Sequence, residues 1–110
     1  MAKYMQQLEG DFDAFLQLLE DAALSSPSAS FEEGSDWHQG DTRVAVRVYE
    51  RYSIIGSNRV SLSITLVGKG RSLYITAITS GGSQAVLFKI NRFGEDAYLK
   101  KIASAVEAAR

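Results

Sequence analysis

At 110 residues, 45% hydrophobic and 23% charged, the chain has the make-up of one globular domain over residues 1–110, with no room for a second. A formal net charge of -1 argues against a protein whose main business is a nucleic-acid backbone, because that affinity is mostly cationic. The absence of cysteine excludes disulfides, thiolate chemistry and Cys-ligated zinc, and no apolar run reaches the length of a signal peptide or a membrane span, so a cytoplasmic protein is expected.

In chain order, Lys3 to Glu9 reads as a short strand with Tyr4, Gln6 and Leu8 on one side, ended by Gly10. Asp11 is placed to cap a helix, with Asp13 in its first turn. Phe12, Phe15, Leu16, Leu19 and Ala23 then recur at helical spacing to about Leu24. Ser25-Ser-Pro-Ser28 stops it. Ala29 to Gln39 fits a strand broken by a bulge at Gly34, and a tight turn at Gly40-Asp41 sets Trp37 opposite Val44.

Thr42 to Tyr52 alternates with period two. Val44, Val46 and Val48 are expected on the buried face and Arg43, Arg47 and Arg51 on the wet one. In Arg59 to Leu66 the alternation is cleaner, with Val60, Leu62, Ile64 and Leu66 together on one face. If Lys69-Gly70 is a two-residue hairpin loop, Leu66 meets Leu73, Ile64 meets Ile75 and Leu62 meets Ala77. A one-residue slip would bury Tyr74, Thr76 and Ile78 instead, which their mixed polarity opposes. A further short strand, Ala85 to Ile90, is expected after Ser80-Gly-Gly-Ser83. Asn91-Arg-Phe-Gly94 then leads into a helix opened by Glu95 and Asp96, with Tyr98, Leu99, Ile102, Ala105, Val106 and Ala109 as its apolar stripe.

The order strand, helix, four or five antiparallel strands, helix implies an α+β domain: an antiparallel β-meander with both helices on its apolar face. In element order it resembles the TATA-binding-protein-like and helix-grip architectures, a likeness of shape that carries no function. Arg43-Val-Ala-Val-Arg-Val-Tyr-Glu-Arg-Tyr52, Asn58 to Ser63, Ala77 to Val86 and Lys89 to Glu95 resemble a small bacterial family of domains of unknown function. That resemblance covers nearly the whole chain and implies a bacterial cytoplasmic protein of this length. It brings no substrate, cofactor or catalytic residue.

No catalytic constellation can be assembled from the residues. His38, the single histidine, has Asp36 nearby, but no Gly-x-Ser-x-Gly elbow accompanies it, and without cysteine or calcium-loop spacing no metal or other cofactor is expected. Glu32-Glu33 would point to opposite faces of a strand, and Glu95-Asp96 reads as a helix start. Ser80-Gly-Gly-Ser-Gln84 has the glycines of an anion-binding nest but reads first as a turn.

The expectation is therefore a non-enzymatic binding or interaction module, homodimeric, with a possible small-molecule ligand between helix and sheet touching Trp37, Tyr98 and Ile102. The alternative is an anionic or nucleic-acid ligand on a sheet face carrying Arg43, Arg47, Arg51 and Arg59 among Tyr49, Tyr74, Ser61, Ser63, Thr65 and Thr76. The same face, with Tyr49, Tyr74 and Ile78 exposed, also suits the meeting of two copies across a dimer axis.

Overall fold

A computed structural model describes residues 1–52, 59–81 and 88–110 of the chain. The elements run β1 (Ala2–Glu9), α1 (Phe12–Ala23), β2 (Ser30–Gln39), β3 (Thr42–Tyr52), β4 (Arg59–Lys69), β5 (Ser72–Gly81) and α2 (Phe88–Ala109). The strands form one antiparallel sheet in the order β1-β5-β4-β3-β2, so β2 to β5 are a meander and β1 closes the far edge beside β5. This is the expected α+β plan. No helix among the described residues is long and apolar enough to cross a membrane.

β4 occupies the centre of the sheet, and its alternation is obeyed without exception. Val60, Leu62, Ile64, Leu66 and Gly68 are buried, while Arg59 and Lys69 at its ends are exposed. The same face carries Leu73, Ile75, Ala77 and Thr79 from β5 and Tyr4, Gln6 and Leu8 from β1. Both helices lie on this side, α2 over β1, β5 and β4 and α1 over β4 and against α2. Leu19 and Ala23 of α1 and Tyr98, Ile102 and Val106 of α2 complete the core.

Local chemistry starts α1 where expected. Asp11 accepts a hydrogen bond from the Ala14 amide at 2.9 Å, and Asp13 lies in the first turn beside the positive end of the helix dipole. The ring of Phe12 lies so close over Gly68 that a Cβ there would come within 2.6 Å of it, which keeps that position bare.

Four expectations about the chain path need correction. The β4–β5 loop is Gly70-Arg71, not Lys69-Gly70, so Leu66 meets Ile75, Ile64 meets Ala77 and Leu62 meets Thr79. Gly70 sits at the first loop position with φ 59°, as Gly40 does in the β2–β3 loop with φ 58°, and a side chain disfavours that backbone at either place. Moving the loop by one residue shifts the pairing by two, which changes every partner and leaves every face as expected. The β2 irregularity falls at Glu32, between Phe31 and Glu33, rather than at Gly34; Trp37 does pair with Val44.

The strand expected over Ala85 to Ile90 is helical at Phe88 to Ile90, and its earlier part lies outside the described residues. Because α2 starts at Phe88, Glu95 and Asp96 sit two turns inside it and do not cap it. The buried Glu95 instead accepts a hydrogen bond from the Gly81 amide at 2.7 Å and pairs with the α-amino group of Met1 at 2.5 Å, tying α2 to the ends of β5 and β1.

Candidate interaction surface

A fifth correction concerns β3, and it decides the character of both faces of the sheet. Arg43, Ala45, Arg47, Tyr49 and Arg51 pair with Gly68, Leu66, Ile64, Leu62 and Val60, so they stand on the helix side. Val44, Val46 and Val48 pair with Val67, Thr65 and Ser63 on the side without helices. The valines were expected inside and the arginines outside, and the structure reverses them. Both sets alternate equally well; the helices supply partners that arginine needs and valine cannot use.

Those partners are specific. The Arg43 guanidinium lies 4.1 Å from the centre of the Phe12 ring and donates to Asp13 at 3.0 Å, so α1 holds it by stacking and by charge. Arg47 is half-buried and donates to Glu20 and Asp36 at 3.0 Å and to the Val46 carbonyl at 2.9 Å. Burial works to lower its pKa, and the hydrogen bonds to Glu20 and Asp36 outweigh it and raise the value. Arg51 lies 4.4 Å from the centre of the Tyr98 ring, and burial lowers its pKa. The three arginines, at every fourth position of one strand, fasten β3 to α1 and α2.

Two tyrosines under this layer differ in one respect. The Tyr98 hydroxyl donates to the Ala23 carbonyl at 2.9 Å and joins the two helices; burial pushes its pKa up to about 12, partly opposed by Arg51. The equally buried Tyr49 hydroxyl has no hydrogen-bond partner among the described residues, and burial raises its pKa further.

Arg59 belongs elsewhere. It lies on the helix-free side, pairs with Glu50 and, at 3.9 Å, with Glu32, and its guanidinium is 5.7 Å from the centre of the Tyr52 ring. The four arginines expected on one face are therefore split between two, with Tyr49 on the covered side. The trio Trp37, Tyr98 and Ile102 is likewise not brought together. Tyr98 and Ile102 are fully buried under α2, while Trp37 stands exposed on the opposite side of the sheet.

His38 and Asp36 share the helix side of β2. Asp36 is held by Arg47, and Ser80 lies on the other side of the sheet, paired with Ser61. Residues 82–84 of the glycine-rich stretch lie outside the described residues. An open groove of about 400 Å³ between α1 and β2 is lined by Glu20, Leu24, Phe31, Gly34, Arg47 and Tyr49. No group of His, Cys, Asp or Glu among the described residues is placed to hold a metal ion.

The helix-free side is built from rows that run straight across the sheet. One row is Trp37, Val44, Val67, Tyr74 and Gln7; the next is Ser35, Val46, Thr65, Thr76 and Met5; the third is Glu33, Val48, Ser63, Ile78 and Lys3. All ten side chains in the first two rows and the inner three of the third are apolar, hydroxyl or amide groups, and charge appears only at the two ends of the third. Met5, Trp37, Tyr74 and Ile78 are 61%, 54%, 45% and 36% exposed. Large apolar groups scattered singly on a surface need no explanation, but a contiguous patch rimmed by polar residues marks a contact surface.

The sequence pattern assigns Tyr74, Thr76, Ile78 and the β4 hydroxyls to this side and misses the three valines between them. The signal was present in Ala45 and Tyr49, which give the opposite side of β3 an apolar content of its own. No curated protein matches the chain. A family profile described as a family of unknown function (DUF6054) matches residues 1–110, and with that match over its whole length the chain belongs to this family.

Proposed function

We propose that the chain is a non-enzymatic interaction module of the bacterial cytoplasm that works as a homodimer, with the helix-free side of the sheet as its contact surface. One observation carries this reading: β3 turns its arginines toward the helices and its valines away from them, so the uncovered side has an uncharged centre and a charged margin. That distribution matches protein contact surfaces, in which charge is depleted at the centre and aromatic residues and methionine are enriched. The bacterial and cytoplasmic parts of the proposal rest on the sequence resemblance and on composition.

A ligand between helix and sheet has less support, because Tyr98, Ile102 and Val106 are packed against the strands. Anion binding through the arginines also loses support, since Arg43, Arg47 and Arg59 each have a carboxylate against them.

Light scattering across a range of concentrations tests the proposal. The expected molar mass is twice the 12.0 kDa of one chain, with Thr65→Lys, at the centre of the surface, giving the single-chain mass and an unchanged far-UV spectrum. Trp37 is the single tryptophan and stands on this surface, so its emission should shift to the blue as the wild-type chain associates. A single-chain mass at every concentration, with no movement of the emission, would overturn the reading.

A further inference from the structure

The rows across the helix-free side also specify how two copies would meet. This inference rests on the proposal that this side is a contact surface, and concerns the geometry of the contact. Two sheets packed face to face keep their strands within about 30° of each other at about 10 Å separation. A two-fold axis relating them must then lie between the sheets and run either along the strands or across them.

An axis along the strands, over the central strand β4, lays β5 of one copy on β3 of the other and β1 on β2. Tyr74 then faces the partner's Val44, Thr76 the partner's Val46 and Ile78 the partner's Val48. The large Tyr74 and Ile78 thus meet shorter branched valines, Thr76 meets a valine of its own size, and the small Ser63 and Thr65 of β4 meet at the axis. At the margin, Lys3 faces the partner's Glu33, because the two residues end the same row at opposite edges of the sheet. Every charge of the three rows thereby meets its opposite.

An axis across the strands lays each strand on its own copy. Tyr74 then meets the partner's Ile78 and Val44 the partner's Val48, large on large and small on small. Trp37 lies over the partner's Glu33, and Lys3 over the partner's Gln7. Neither charge is then answered. Five strands at about 4.8 Å spacing and eight residues at about 3.4 Å rise give a footprint on the order of 600 Å². That approaches the roughly 800 Å² of accessible surface each partner contributes to a stable contact.

We infer that two copies pair face to face about an axis parallel to β4, with Lys3 of each against the partner's Glu33. The absence of cysteine makes the test clean, since single thiols can be placed at exposed edge positions without disturbing the core. Lys3→Cys and Glu33→Cys chains, separately and mixed, are treated with a short bismaleimide while light scattering reports the mass. The expected result is a cross-linked pair in the mixture and none in either variant alone.

Self-cross-linking of Lys3→Cys, or no product in the mixture while the mass remains that of a pair, would overturn the axis and leave the contact surface standing. A single-chain mass throughout would overturn both. Charge reversal provides the second arm: Lys3→Glu should weaken association about tenfold, and the Lys3→Glu, Glu33→Lys double variant should restore it. A double variant as weak as the single one would also overturn the axis.

Discussion

β3 and β4 are neighbours in the sheet, equal in length and alike in alternation, yet they distribute their side chains by different rules. β4 buries aliphatic residues toward the helices and exposes serine and threonine on the other side. β3 turns three arginines toward the helices and leaves three valines uncovered. β4 lies under both helices and has only the hydrophobic effect to satisfy. β3 lies beyond their main footprint, where α1 and α2 contribute carboxylates and aromatic rings instead of aliphatic surface. Polarity alone is therefore a poor guide to facing when a neighbouring element can neutralise the polar member.

The comparison can be broken most severely at β4. Ile64→Ala removes a fully buried side chain at the centre of the core and should cost about 2–5 kcal/mol in chemical denaturation, while Val46→Ala, one strand away on the uncovered side, should cost well under half as much. Equal losses would mean that the two faces of the sheet are not energetically distinct. Next in size is Arg47→Ala, which leaves Glu20 and Asp36 without their shared cation and should cost about 2 kcal/mol. A neutral result would reduce the arginine to a surface group despite its low exposure.

The two buried tyrosines sharpen the contrast further. Tyr98→Phe should cost about 1 kcal/mol because the Ala23 carbonyl loses its donor, whereas Tyr49→Phe should be neutral or stabilising because its hydroxyl has no partner among the described residues. Their pH dependence has a definite sign. The Tyr98 pKa is raised from 10.0 to about 12, so the stability it contributes is present below pH 10 and is lost as pH rises through its folded value. Tyr49 is raised for the same reason. Urea midpoints followed from about pH 9 to about pH 12 should fall less steeply in Tyr49→Phe than in the wild-type chain.

The smallest effect is expected of Val46→Thr. Measured on chains dilute enough to be single, it should shift stability by less than about 0.5 kcal/mol, because its side is open. Its association at higher concentration should weaken clearly. The reverse ranking would place Val46 in the core.

The sequence by itself determined the element order as far as β5, the helix that begins at Asp11, both glycine turns to within a residue, and the buried faces of β1, β4 and β5. Each depends on interactions within a few residues or on a period that allows one solution. Tertiary structure alone decided which side of β3 faces the helices, which strands pair residue by residue, and that Trp37 stands apart from Tyr98 and Ile102. Those outcomes depend on groups far away in the chain: on Asp13, Glu20 and Tyr98 waiting for arginines, and on a turn whose displacement by one residue moves every partner while leaving every face unchanged.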